Sequence, residues 1–137
     1  MSIVLRSAPL GPDMYEPGVC NIGPAEVARR RRSGHAALVV SVVLFGVLLA
    51  TGAPHWTRLA LVLTATGSAA GYLQAMFHFC AGFGSKGVYN FGPLGTVVPV
   101  DDSGARARDR FKSLEIGLAS LAIGLVVGVV AVVIPLG

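Results

Sequence analysis

The sequence predicts an all-α integral membrane protein with three transmembrane helices. Its N-terminus is expected inside, its C-terminus outside, and a short N-terminal helix precedes the first span. Three observations carry this reading. Hydrophobic residues make up 53% of the 137 residues and charged residues only 13%, with a mean hydropathy of +0.69, far from a soluble composition. Three long runs are almost free of charge. Lysine and arginine are distributed very unevenly among the segments that flank those runs. The chain therefore forms one membrane domain overall.

Residues 1–23 are expected to be a cytoplasmic segment. They lack a basic stretch followed by a sustained apolar run and a small-residue cleavage site, so they read as part of the mature chain. No apolar run precedes Cys20 either, which argues against a lipid-anchored cysteine. Residues 24–35, containing "GPAEVARRRR" from position 23, suit a basic juxtamembrane helix that either bends at Ser33 and Gly34 or runs on into the span. Pro24 fits a first helical position, where its missing N–H is harmless, and Glu26 lies near the positive end of the helix dipole.

The first span covers residues 36–52, 17 residues without a charge. This is the short end of what crosses a hydrocarbon core of about 30 Å. An exterior loop, 53–58, carries Trp56 as an interfacial anchor. The second span, 59–82, has 24 uncharged residues and room for tilt. A cytoplasmic loop follows at 83–112, in which Gly82, Gly84 and Gly87 are expected to end the preceding helix. The end of "DDSGARARDR" suits a short polar helix leading into the third span, 113–134, and residues 135–137 form the exterior C-terminus. Strands fit poorly, because open sheet edges in lipid leave backbone groups unsatisfied. Ten basic residues flank the first and third spans on one side, Arg6, Arg29 to Arg32, Lys86, Arg106, Arg108, Arg110 and Lys112, against Arg58 alone on the other. The positive-inside rule then sets the orientation, in the inner (plasma) membrane of a bacterial-type cell.

The helix faces suggest how the spans pack. Thr64, Gly67, Gly71, Gln74 and His78 fall along one stripe of the second span, and Ser113, Gly117, Ser120, Gly124 and Gly128 along one of the third. Small residues let backbones approach, so Gly67, Gly71, Ser120, Gly124 and Gly128 are packing positions, against the other spans or a second copy. Glu115 lies three residues after Lys112, a favourable spacing for an ion pair. Tyr72 is offset from its stripe, with a hydroxyl placed to reach a partner helix or an interfacial water.

A net charge of +4 and a pI near 9.6 raise the question of nucleic acid, but the basic residues border apolar helices, so no nucleic acid partner is expected. Arg29, Arg30, Arg31, Arg32 and Lys86 are instead assigned to lipid headgroups, anionic ones included. No catalytic set is visible: Ser85 and Cys80 lack a base and an orienting partner, and "GFGSKG" lacks the order of a phosphate loop.

Three functional expectations follow. The first is a structural or accessory subunit of a membrane complex or homo-oligomer. The second is a metal-binding or thiol-redox protein using Cys20, His78 and Cys80 at the cytoplasmic face, with Asp13, Glu16 or water as a fourth ligand; no other cofactor is implied. The third is an oligomeric transporter of a small molecule or ion, lined by Gln74, His78 and Glu115.

Overall fold

The structure, a computed structural model, describes residues 14–136. Arg6 and Asp13, which enter the charge and ligand expectations, lie outside the described residues. Helix α1 spans Pro24–Ala50 and is followed by a 3-10 helix, His55–Ala60, that leads directly into α2, Leu61–Phe77. A short α3, Ala81–Lys86, precedes a two-stranded hairpin of β1, Val88–Tyr89, and β2, Val98–Pro99, paired antiparallel. Helix α4, Ser103–Val133, completes the chain. Three helical stretches, Pro24–Ala50, His55–Phe77 and Ser103–Val133, are long and apolar enough to cross a membrane.

Local chemistry explains most of the boundaries, and several differ from those expected. The basic helix and the first span are one continuous α1, with no separate short helix before the span. No proline interrupts its hydrogen-bond ladder, and Gly34 is used for close packing against the Tyr72 ring instead of for a bend. Helix α1 ends at Thr51, whose hydroxyl returns to the Val47 carbonyl at 2.9 Å, and Gly52 turns the chain in the left-handed region.

Helix α2 stops at Phe77, before any of the glycines expected to end it. His78 takes the left-handed C-cap conformation, at φ 54° and ψ 42°. Side chains hold the chain there. Asn21 pairs with the backbone of Cys80, and the Gln74 carboxamide accepts from the Ala81 N–H at 2.8 Å. Gly82 and Gly84 lie inside α3, and only Gly87 ends a helix. At the start of α4 the Asp102 carboxylate accepts from the Ala105 N–H at 2.7 Å, an N-cap that begins the helix ten residues ahead of the expected span.

Helix α2 is the centre of the bundle, with α1 packed on one side and α4 on the other. Small residues set both interfaces. A Cβ added at Gly71 would stand 2.6 Å from the backbone nitrogen of Gly34, so α1 and α2 touch backbone to backbone. The Ser68 hydroxyl donates to the Gly34 carbonyl at 2.9 Å beside this contact. On the other side, Gly124 lies against Thr66 and the Val62 carbonyl, and Gly128 against the Val62 side chain. The buried face of α4 is Ala105, Asp109, Ser113, Ile116, Ser120, Gly124, Gly128 and Ala131, spaced by three and four residues along the whole helix. Gly67 makes only ordinary contact with Ala37, and a Cβ at Gly117 would meet nothing. This close approach multiplies dispersion contacts between the helices.

Arg58 is not an exposed loop cation. It is 1% exposed at the end of the bundle away from the arginine run, and its guanidinium donates to the carbonyls of Ala131, Ile134 and Leu136 at 3.0, 3.1 and 2.6 Å. These are among the last carbonyls of α4 and its continuation, where a positive charge also meets the negative end of the helix dipole. The Phe45 ring of α1 stacks at 5.7 Å from the guanidinium carbon.

Gly71→Ala is expected to destabilise the bundle by about 1–3 kcal/mol, because backbone atoms of α1 must retreat. Gly117→Ala, with free space around it, should change stability little or raise it by up to about 1 kcal/mol through helix propensity. Reversible denaturation in detergent micelles reads both, and equal losses would contradict the close approach at Gly71.

Candidate functional site

The polar chemistry of the molecule gathers at the basic end, where the segment before α1 is woven between the end of α2, the hairpin loop and the start of α4. Asn21 is fully buried. Its carboxamide accepts from the Cys80 N–H at 2.7 Å and donates to the Cys80 carbonyl at 3.2 Å, while its backbone N–H reaches the His78 carbonyl at 3.1 Å. Asn90, also fully buried, donates to Glu26 Oε2 and to the Pro93 carbonyl, both at 2.9 Å, and accepts from the Gly92 N–H and the Thr96 hydroxyl. Backbone bonds from Asn90 N–H to the Asn21 carbonyl and from Gly23 N–H to the Asn90 carbonyl lock the two asparagine segments together. Every polar atom of both carboxamides is thus satisfied.

Glu26 supplies the buried charge. Only 1% of it is exposed, and Arg30, one turn along α1, neutralises it. The other arm of the Arg30 guanidinium reaches the Cys80 sulfur at 2.6 Å, and the Phe83 ring lies 5.3 Å away. A second anchor is the fully buried Asp109 of α4, which accepts from the Tyr15 hydroxyl and from the Gly18 N–H at 2.8 Å. Gly18 is required there: its φ is 72°, and an added Cβ would stand 3.3 Å from that of Arg108. Tyr15 stacks on Tyr89 of the hairpin at 4.8 Å. Burial first, then the hydrogen bond to Asp109, keeps Tyr15 protonated well above the usual tyrosine range.

The expected ligand set is not assembled. The Cys20 thiol donates to the Met14 carbonyl and packs with Tyr89, Phe91, Val100 and Ala105, whereas Cys80 sits in a separate cluster with Ile22, Val27 and Ala75. Both thiols are free. Burial, with the Glu16 charge second, pushes the Cys20 thiol up, which disfavours the thiolate that metal binding and redox chemistry need. Among the described residues no three His, Cys, Asp or Glu side chains group closely enough to hold a metal ion.

The polar trio is also dispersed. Gln74 is spent on the end of its own helix, donating to the Ala70 carbonyl and receiving Ala81. Glu115, 59% exposed, pairs with Lys112 at 3.5 Å, and the Lys112 ammonium lies 4.5 Å from the centre of the Phe77 ring. His78 has left the helical stripe by virtue of its left-handed backbone, a conformation that costs a non-glycine residue about 1–2 kcal/mol. Its ring is exposed and has no hydrogen-bond partner among the described residues. Tyr72 does reach a partner helix, with its hydroxyl 2.6 Å from His35 Nδ1. Of the five cations assigned to headgroups, Arg29, Arg31, Arg32 and Lys86 are exposed, but Arg30 is turned inward to Glu26 and Cys80.

What the arrangement offers a ligand is a hollow of about 390 Å³ beside the first turns of α1, whose lining includes Cys20, Ile22, Val27, Arg31, His78 and Phe91. Sequence reasoning missed the residues that frame it. Asn21 and Asn90 carried a faint signal: each is a lone amide in an apolar setting, just before Ile22-Gly23-Pro24 and inside Tyr89-Asn90-Phe91-Gly92, where turn chemistry is expected.

Glu26→Ala should cost about 3–5 kcal/mol by leaving Arg30 without its counter-charge, and adding Arg30→Met should recover part of that loss. A double-mutant cycle in micelles reads the coupling, and strictly additive losses would show that the two do not act as a pair. Because the folded state raises the Tyr15 pKa, Tyr15 lends stability below its unfolded pKa and withdraws it as pH rises past about 10. Tyr15→Phe should therefore flatten the alkaline decline in denaturation midpoint; an unchanged slope would refute this. Comparison with known protein families, with curated proteins and with solved structures returns no match.

Proposed function

We propose that the protein is a small multi-pass protein of the inner (plasma) membrane that serves as a structural, accessory subunit, packing on a further membrane helix through α1. The observation that carries this is the uneven burial of the helices. Of the 27 residues of α1, only Glu26, Val27 and Gly34 are buried, all towards its basic end. Beyond Gly34 the helix presents Leu38, Val39, Val40, Val42, Val43 and Val47, with open space around Gly46. A helix packed on one face along its length but with so exposed an outer face has room for a neighbour, and Gly46 permits a close one.

The small-residue faces point the same way by a different route. Gly71, Ser120, Gly124 and Gly128 are taken up inside the chain, so a partner, whether a second copy or another subunit, would use other small residues, and Gly46 of α1 has open space around it. Charge supports the orientation. Arg29 to Arg32, Lys86 and the Arg106 to Lys112 group all sit at one end of the bundle, on the first turns of α1, on α3 and on the first turns of α4. The positive-inside rule assigns that end to the cytoplasm.

A photo-crosslinking residue introduced at Val43 should yield a discrete protein adduct in native membranes, while one at Leu118 on α4 should yield lipid adducts only. Native electrophoresis then separates a second copy from another subunit by mass. Lipid adducts alone at both positions, with a particle of monomer mass, would overturn the accessory-subunit reading.

A further inference from the structure

We propose that the hollow beside the first turns of α1 binds the phosphate headgroup of an anionic phospholipid, with Arg31 and His78 as its polar contacts. The inference rests on the membrane reading above and gives one of its lipid contacts a defined site.

Two uncommitted donors share the lining. Glu26, the carboxylate nearest in sequence, is bound by Arg30 and approached by Arg29, and Arg31 has no ion-pair partner among the described residues. His78 is exposed, and neither of its ring nitrogens is bonded among the described residues. A guanidinium offers a phosphate two parallel N–H donors, and an imidazole offers at least one more. The remaining lining is apolar: Ile22, Val27 and Phe91 suit the glycerol and first methylenes of a lipid, and would be wasted on a free, fully hydrated phosphate.

Position and rigidity agree with this. His78 follows the last residue of α2, and Arg31 lies one turn before Gly34, where α1 and α2 touch. Both side chains therefore occur where the apolar helices give way to the polar end of the bundle, the level of phosphates in a bilayer. Asn21 holds the surrounding backbone in place, through the His78 carbonyl on one side and both backbone groups of Cys80 on the other. The hollow is thus framed before any ligand arrives, which lowers the ordering cost of binding.

The test is native mass spectrometry of the full chain released from nanodiscs of phosphatidylcholine alone or of equimolar phosphatidylcholine and phosphatidylglycerol. The expected result is retention of one phosphatidylglycerol in preference to phosphatidylcholine, reduced at least about tenfold by Arg31→Gln and by His78→Asn. Asparagine tolerates the left-handed backbone at position 78, so that variant removes the ring without forcing a refolding. Arg110→Gln removes the same charge from an exposed position of α4 outside the hollow and should leave retention unchanged.

Equal losses in Arg31→Gln and Arg110→Gln would overturn the site in favour of diffuse attraction. So would absence of a retained anionic lipid. Displacement by inorganic phosphate at equal concentration would overturn the lipid as occupant and leave a free-phosphate pocket. A chain that enters nanodiscs yet retains no lipid defeats this inference alone, whereas a chain that fails to enter them defeats the membrane reading with it.

Discussion

The buried carboxylate of Glu26 is the constraint around which the basic end is organised. A charge removed from water must be matched by an opposite charge and by hydrogen bonds to its remaining lone pairs. Arg30 supplies the first and Asn90 the second. Asn90 can do this only because Gly92, Thr96 and Pro93 close a turn around it and because backbone bonds tie it to Asn21 and Gly23. Asn21 in turn holds the chain just beyond α2. One desolvated carboxylate thereby joins the starts and ends of segments far apart in sequence, and a half-satisfied version of this network would be worse than an apolar one.

Along the apolar length of the helices the governing term is different. What matters there is how closely backbones approach and whether each polar side chain bonds locally. Gly71 against Gly34 and Gly124 against Thr66 meet the first condition. Ser68, bonded to the Gly34 carbonyl, and Ser120, bonded to the Ile116 carbonyl, meet the second. The bundle is consequently tight where α2 meets its neighbours and exposed on the outer face of α1.

Some of this was legible in the residue pattern and some was not, for reasons that follow from range. Three apolar runs, the spacing of Ser120, Gly124 and Gly128, and the Lys112–Glu115 pair depend on neighbours within a turn or two, so periodicity reveals them. The end of α2 at His78 was hidden, because uncharged residues continue to Gly82 and the stop is imposed by Asn21, distant in sequence. The grouping of Cys20, His78 and Cys80 looked possible from topology, which brings all three to one end of the bundle. It dissolves because the two thiols are enclosed by different apolar clusters. Asp109 looked like one more charge in a mixed polar run, yet Tyr15 and Gly18 turn it into an interior anchor.

The placement of Arg58 bears on the order in which the chain is assembled during synthesis. The guanidinium is made long before residues 131–136, whose carbonyls it must bind, so it spends the intervening time without its final acceptors. A buried cation without acceptors is costly, and that cost falls when the last turn of α4 arrives. The end of α4 therefore acts as a clasp: a later-made segment supplies the acceptors that an earlier cation needs.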